Sequence, residues 1–201
     1  MIHPHTRLRF ISEAVGYGVV ATERIPKGTI TWAKDPLDQT LGMEAVEALG
    51  PAFRPHLDHF TYRDNRGDYV LCWDHGRYIN HSAFPNCITT AYNFELAVRD
   101  IEPGEELTND YGFLNLEYPF EAFPEPGTDR TRILPDDLLR HHDRWDGQLR
   151  DAFRHFNTVE QLLAFLGPLP TLETARSIGN GAAEMDSIQS FFYADGALAS
   201  A

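Results

Sequence analysis

Cationic residues are scarce in this chain of 201 residues: 17 Lys and Arg stand against 30 Asp and Glu, a formal net charge of -13 with His neutral. Nucleic-acid backbone affinity needs a basic surface, so the balance argues against a general nucleic-acid binder and favours a basic partner drawn by the acidic field. Lys27 and Lys34 are the only lysines. Cysteine is equally rare. Cys72 and Cys87 are too few for a disulfide framework or a multi-cysteine zinc cluster, so the fold must stand on its packing. No run of about 18 apolar residues offers a membrane span. Met1–Thr6 lacks a basic start followed by an apolar stretch, so no secretory signal is read there. The expectation is a cytoplasmic protein, or a nuclear one in a eukaryote.

Enough chain is present for one domain with an appendage, since domains run to about 100–200 residues. Short β segments are expected around Leu8 to Ile11, Val19 to Ala21 and Ile30 to Trp32, with Gly16-Tyr17-Gly18 and Ile25-Pro26-Lys27-Gly28 as turns. Met43, Ala45, Val46 and Leu49 form a short helical pattern that Gly50-Pro51 ends. Further strands are expected over Tyr69–Trp73, Cys87–Tyr92 and Glu95–Arg99, with a turn at Ile101–Gly104. After Pro119 the pattern changes. Residues Glu121–Thr131 read as a linker, and Leu134, Leu138, Leu139, Leu149, Phe153 and Phe156 then recur at helical spacing. Thr158 to Gln161 fits a capping box for a helix through Leu162, Leu163, Phe165 and Leu166 that Gly167-Pro168 stops, and Met185, Ile188, Phe191 and Phe192 suggest one more short helix. The terminal residues 196–201 are expected to fray.

Three segments carry the chemistry. A Gly-x-Gly, here Gly16-Tyr17-Gly18, lets a backbone approach a ligand without a Cβ in the way, although alone it also fits a plain hairpin turn. It is no dinucleotide fingerprint, because the third glycine and the following helix are missing. Arg77-Tyr78-Ile79-Asn80-His81-Ser82-Ala83-Phe84-Pro85-Asn86 presents an Asn with donors and an acceptor beside a His ring; alone it also fits an Asx-type turn with a satisfied buried histidine. Glu105-Glu106-Leu107-Thr108-Asn109-Asp110-Tyr111-Gly112 ends in a Tyr that a core could equally use. His3, His5, His141 and His142 with Asp143 are separated pairs without a supporting cysteine, and neighbours on a helix point apart, so no metal site is assigned.

The order of these three segments resembles the motif set of the SET-domain protein-lysine methyltransferase family, in its zinc-free form without a cysteine-rich tail. The resemblance covers about Arg7 to Tyr118. It implies an α+β, β-rich fold of small sheets around a threaded, knot-like crossing, an exception to the rule that chains avoid threading. Residues 1–118 would be the catalytic domain, and 119–201 a linker and helical region closing the site. It implies S-adenosylmethionine as methyl donor, held near Gly16, Tyr17, Gly18, Asn80 and His81 with Arg77 ordering the loop, and a reaction centred by Tyr111. The substrate would be the side-chain amine of a lysine in a basic protein, with no nucleic acid and no membrane as partner. Phe60, Tyr62, Tyr69 and Phe113 are candidate walls of the lysine channel. Where histone-directed members carry a zinc-binding cysteine, this chain has Ala83, so residues from about Leu134 onward are expected to close the channel instead. Two alternatives stay open: a catalytically silent SET-fold module that binds a protein, and a methyltransferase for small amines.

Overall fold

The computed structural model describes residues 1–166 and 169–194. The chain opens with β1 (Thr6–Ser12), β2 (Gly16–Ala21), β3 (Ile30–Ala33) and β4 (Gln39–Leu41). A helical insertion comes next, with α1 (Met43–Leu49), a 3-10 turn over Pro51–Phe53 and α2 (Arg54–Phe60). Then come β5 (Thr61–Arg63), β6 (Tyr69–Leu71), β7 (Asn80–His81), β8 (Cys87–Thr89), β9 (Phe94–Ala97) and β10 (Thr108–Asn109). The last third holds β11 (Phe120–Glu121), β12 (Arg132–Ile133), α3 (Asp137–Phe153) and α4 (Leu169–Gly179).

These strands make small sheets, as expected for an α+β chain rich in turns. Two have three strands, in the orders β3-β9-β8 and β4-β6-β5; β1-β2, β7-β10 and β11-β12 are pairs. All pairings among the described residues are antiparallel except β7 with β10, where Asn80 lies opposite Thr108 and His81 opposite Asn109. That parallel contact sets two of the three motif segments side by side.

Strand β9 is central and buried along its whole length, which explains its nearly unbroken apolar run. One face of its sheet packs against α3: Ile88, Phe94 and Leu96 share a core with Phe113, Trp145, Leu149 and Phe153, extended by Leu172, Ala175, Ile188 and Phe191. Residues on both sides of position 118 therefore build one core. A second core joins Val19, Ile25, Trp32, Ile79, Cys87, Ala97 and Leu107, and the insertion has a small one of Val46, Leu57 and Tyr69.

Several local expectations are corrected. Gly16-Tyr17-Gly18 is not the turn; it begins β2, and the turn lies at residues 13–15. Pairing runs from Thr6↔Ala21 to Ser12↔Gly16, with a bulge between Phe10 and Ser12 that lets the ladder reach Gly16 at φ 80°. The capping box at Thr158 does not form. Thr158 Oγ1 donates to His155 O, while the Gln161 side chain donates to Gly28 O and Phe156 O and accepts from Ile30 N. Gln161 is thus spent on two strand-end backbone groups, and the chain after it forms a single 3-10 turn over Ala164–Leu166. The expected stop at Gly167-Pro168 and the expected fraying of 196–201 lie outside the described residues. The linker over 121–131 is bracketed by the β11-β12 pair and lies against the second motif segment. The helix expected near Ile188 is a 3-10 turn, Ile188–Phe191, whereas α2 and α4 were not expected from the sequence.

Candidate active site

The three motif segments meet. Val20 bridges Glu106, Leu107 N donates to Val19 O at 2.8 Å, and Ala21 N donates to Glu105 O at 2.9 Å, so the segment before β10 lies along β2. Asn80 then ties all three together: its Nδ2 donates to Tyr17 O at 3.1 Å and to Glu106 Oε1 at 2.6 Å. The absence of a side chain at Gly18 leaves room for this closeness. A Cβ there would collide with Glu106 Oε1 and stand 2.8 Å from Asn80 Nδ2. The Tyr17 ring is half exposed, edge-on to Phe10 and Tyr78.

His81 and Tyr111 face one another across the β7-β10 pair. Tyr111 N donates to His81 Nδ1 at 3.1 Å, which assigns the imidazole proton to Nε2. Burial pushes the His81 pKa below its ordinary value, with Asp110 opposing, so the ring is neutral at physiological pH. Its Nε2 is buried without a hydrogen-bond partner among the described residues. The Tyr111 hydroxyl donates to Ile79 O at 3.0 Å, and burial, with the Glu106 charge adding to it, pushes the phenol up to about 12. Tyr111 is therefore a phenol, a donor at neutral pH. The ring of Phe120 covers both, 5.1 Å from Tyr111 and 5.7 Å from His81 between centroids.

The chain beyond β10 is locked to this site by charge. Asp110 has no accessible side-chain surface; it accepts from Gly112 N at 3.0 Å, shaping the 3-10 turn that carries Tyr111, and is held by Arg130 at 2.5 and 3.0 Å. Arg130 also holds Asp137 at the start of α3, at 2.6 and 3.2 Å. Glu125 accepts from Ser82 Oγ and Ala83 N, both at 2.9 Å, and Arg144 on α3 donates to Ala83 O at 2.6 Å. Ala83 is thus gripped by polar side chains from the C-terminal part. Sequence reasoning missed Asp110, Phe120, Glu125, Arg130 and Arg144 as site residues; only Asp110 sat inside a recognised segment.

Other expected residues fall elsewhere. Arg77 lies over the rings of Tyr78 (5.4 Å) and Phe60 (6.0 Å) and donates to Cys72 O at 3.4 Å, a role in ordering the loop. Of the four candidate channel aromatics, Tyr62 and Phe113 share the larger core, whereas Phe60 and Tyr69 pack in other groups. Phe60 stacks edge-on against Tyr78 beside the motif loop. Tyr62 lies between the two larger cores, edge-on to Trp32. Tyr69 packs with Val46 and Leu57, and its hydroxyl donates to Glu117 at 2.6 Å. Phe113 is fully enclosed against Trp145. A cavity of about 540 Å³ lies outside the motif residues, lined by Ile2, Trp73, Leu162 and Phe165 among others.

Comparison with known proteins agrees with this assembly. The SET domain family model matches residues 16–112, the span that runs from the first motif glycine to the glycine after Tyr111. Over that span, just under half of the chain, the protein is similar to the SET domain family. Histone-lysine N-methyltransferase ASHH2 of Arabidopsis thaliana is 31% identical over 121 residues, a match covering 54% of this chain and 7% of that protein's length. A solved structure of a Plasmodium falciparum protein, named as a candidate histone methyltransferase, overlaps 55% of this chain and 95% of its own at 22% identity, with a TM-score of 0.41. The matched span thus contains all three motif segments, and Glu125, Arg130 and Arg144, whose side chains hold Ala83 and Asp110 within it, lie beyond it.

Proposed function

We propose that the protein transfers a methyl group from S-adenosylmethionine to the side-chain amine of a lysine in a protein substrate. The observation that carries this reading is the convergence of Gly18, Asn80, His81 and Tyr111 through Asn80 and the β7-β10 pair.

The residues present fit the cofactor. Backbone opened by Gly18, the Glu106 carboxylate and the Tyr17 carbonyl suit a cationic ammonium end, and the unpartnered Nε2 of His81 is a buried donor aimed at no protein group. Gly16, Tyr17, Gly18, Asn80 and His81 would hold the cofactor, which supplies an activated methyl on a sulfonium. Tyr111 orients the acceptor amine, and its raised pKa makes it a hydrogen-bonding group rather than a base. A lysine amine has a reference pKa of about 10.4, so presenting it neutral at physiological pH takes about 4 kcal/mol, a cost that burial and a fixed neighbouring cation can meet. The proton leaves to water. The segment from Phe120 to Arg144 closes the site over His81 and Tyr111, in the place a zinc-bound tail would take. The net charge of -13 favours a basic substrate segment. Incubation with methyl-labelled cofactor and a lysate, followed by mass-spectrometric mapping, tests the reading: label on protein lysines is expected, and label confined to small amines, or none despite measured cofactor binding, would count against it.

A further inference from the structure

Glu95 is an acid in the wrong place. It sits in the buried middle strand β9, where Phe94 and Leu96 face the α3 core and Glu95 and Ala97 face the other side. One carboxyl oxygen is satisfied: Oε1 accepts from Asn109 Nδ2 at 2.7 Å and from Thr89 Oγ1 at 3.2 Å. Its other oxygen, Oε2, is buried without a partner among the described residues, and so is Asn109 Oδ1. A carboxylate and an amide oxygen are both acceptors. Two unsatisfied acceptors on side chains already joined by one bond are accounted for together if a proton lies between them. A carboxylic acid and a primary amide are complementary across two hydrogen bonds, and one of the two is present.

We propose that Glu95 is protonated in the folded protein and that its Oε2–H donates to Asn109 Oδ1, closing a cyclic acid–amide pair that ties β10 to β9 and so positions Asp110 and Tyr111. The surroundings favour the neutral acid. Facing Glu95 are Tyr62 on β5, Cys72 just after β6, Cys87 and Thr89 on β8, Trp32 on β3, Asn109 on β10 and, as the weakest influence, the Met1 ammonium. Burial pushes Tyr62, Cys72 and Cys87 up, so these three are uncharged as well. Burial likewise pushes the Glu95 carboxyl up to about 7, against the opposing bonds from Asn109 and Thr89.

Glu95→Gln is a neutral isostere of the acid and keeps both bonds, so it separates a protonated Glu95 from an ionised one. In wild-type protein labelled with carboxyl-13C glutamate, one resonance should titrate near pH 7 and vanish in the variant; glutamates that all titrate near the ordinary value of about 4.3 overturn the proposal. The wild-type unfolding constant, relative to the variant's, should rise about tenfold per pH unit between about pH 5 and 7 and level off above, because the folded state alone keeps its proton in that window. A variant that fails to fold, or whose unfolding parallels wild type at every pH, contradicts the pair. The positioning role rests on the reading of Tyr111 as the reaction centre. For that role, the ratio of wild-type to variant turnover should fall as pH rises through about 7, the titration of the lysine cancelling in the ratio. A constant ratio removes the positioning role. No transfer by either protein at any pH counts instead against the methyltransferase reading, while the titration and unfolding arms still decide the pair.

Discussion

Replacing Arg130 with Met should strand two buried carboxylates. Asp110 has 0% of its side chain accessible and Asp137 4%, and the guanidinium between them is itself only 15% exposed. Removing one partner of a buried ion pair costs about 3–5 kcal/mol, since the surviving charge keeps its desolvation penalty without its cation. Residual partners soften the loss here: Asp110 still accepts from Gly112 N and Asp137 from Leu134 N, each at 3.0 Å, and Arg144 stands 3.9 Å from Asp110. The expected loss is therefore near the lower end, about 3 kcal/mol, or a fall of about 6–12 °C in melting temperature for a chain of this size. Urea unfolding of Arg130→Met measures it. Arg140→Met serves as control, because it breaks only an exposed pair with Asp136. A loss for Arg130→Met below about 1 kcal/mol would refute the reasoning that this arginine neutralises desolvated charge.

Gly18→Ala should weaken S-adenosylmethionine binding about tenfold or more, because the new methyl must displace Glu106 or Asn80; titration calorimetry giving an unchanged Kd would take the Gly18 strand out of the site. Trp145→Ala should cost about 3–5 kcal/mol, as a fully enclosed indole packed against Phe113 and His141 leaves a cavity between α3 and the β9 sheet. A cost under about 2 kcal/mol would show that the C-terminal helix shares less of the core than its packing implies.

The motif-bearing half of this fold was legible because its signals are local. Gly and Pro mark most of the turns, and β-branched or apolar runs mark β3, β8 and β9. Three motif segments in order pointed to a family, and the structure brings them together. What the sequence hid depends on contacts across long separations. Gly16-Tyr17-Gly18 reads as a turn until the bulge after Phe10 extends the ladder into it. Gln161 looks like a helix cap, but backbone groups at and just before the start of β3 compete for its amide and win. Arg130 sits in a segment with every mark of a linker, and only its approach to Asp110 and Asp137 reveals a clamp. Glu95 has no periodic signal at all: one acid within an apolar strand reads as an outward-facing residue until β9 proves to be central. Tyr69 and Phe113 were drawn to the channel by residue type, whereas neighbours distant in sequence, Leu57 and Trp145, decide where those rings pack.

The central claim is that Tyr111 centres methyl transfer at a site holding the cofactor between β2 and the β7-β10 pair. Tyr111→Phe removes one hydroxyl whose protein partner is Ile79 O and leaves the ring packed on His81 and Phe120. The most direct measurement is single-turnover transfer of labelled methyl to a mapped substrate lysine, wild type beside Tyr111→Phe, with cofactor binding measured on both. Retained binding with transfer reduced by at least about 100-fold is the predicted result, as a lost transition-state positioning group requires; equal single-turnover rates in the two proteins would contradict the account.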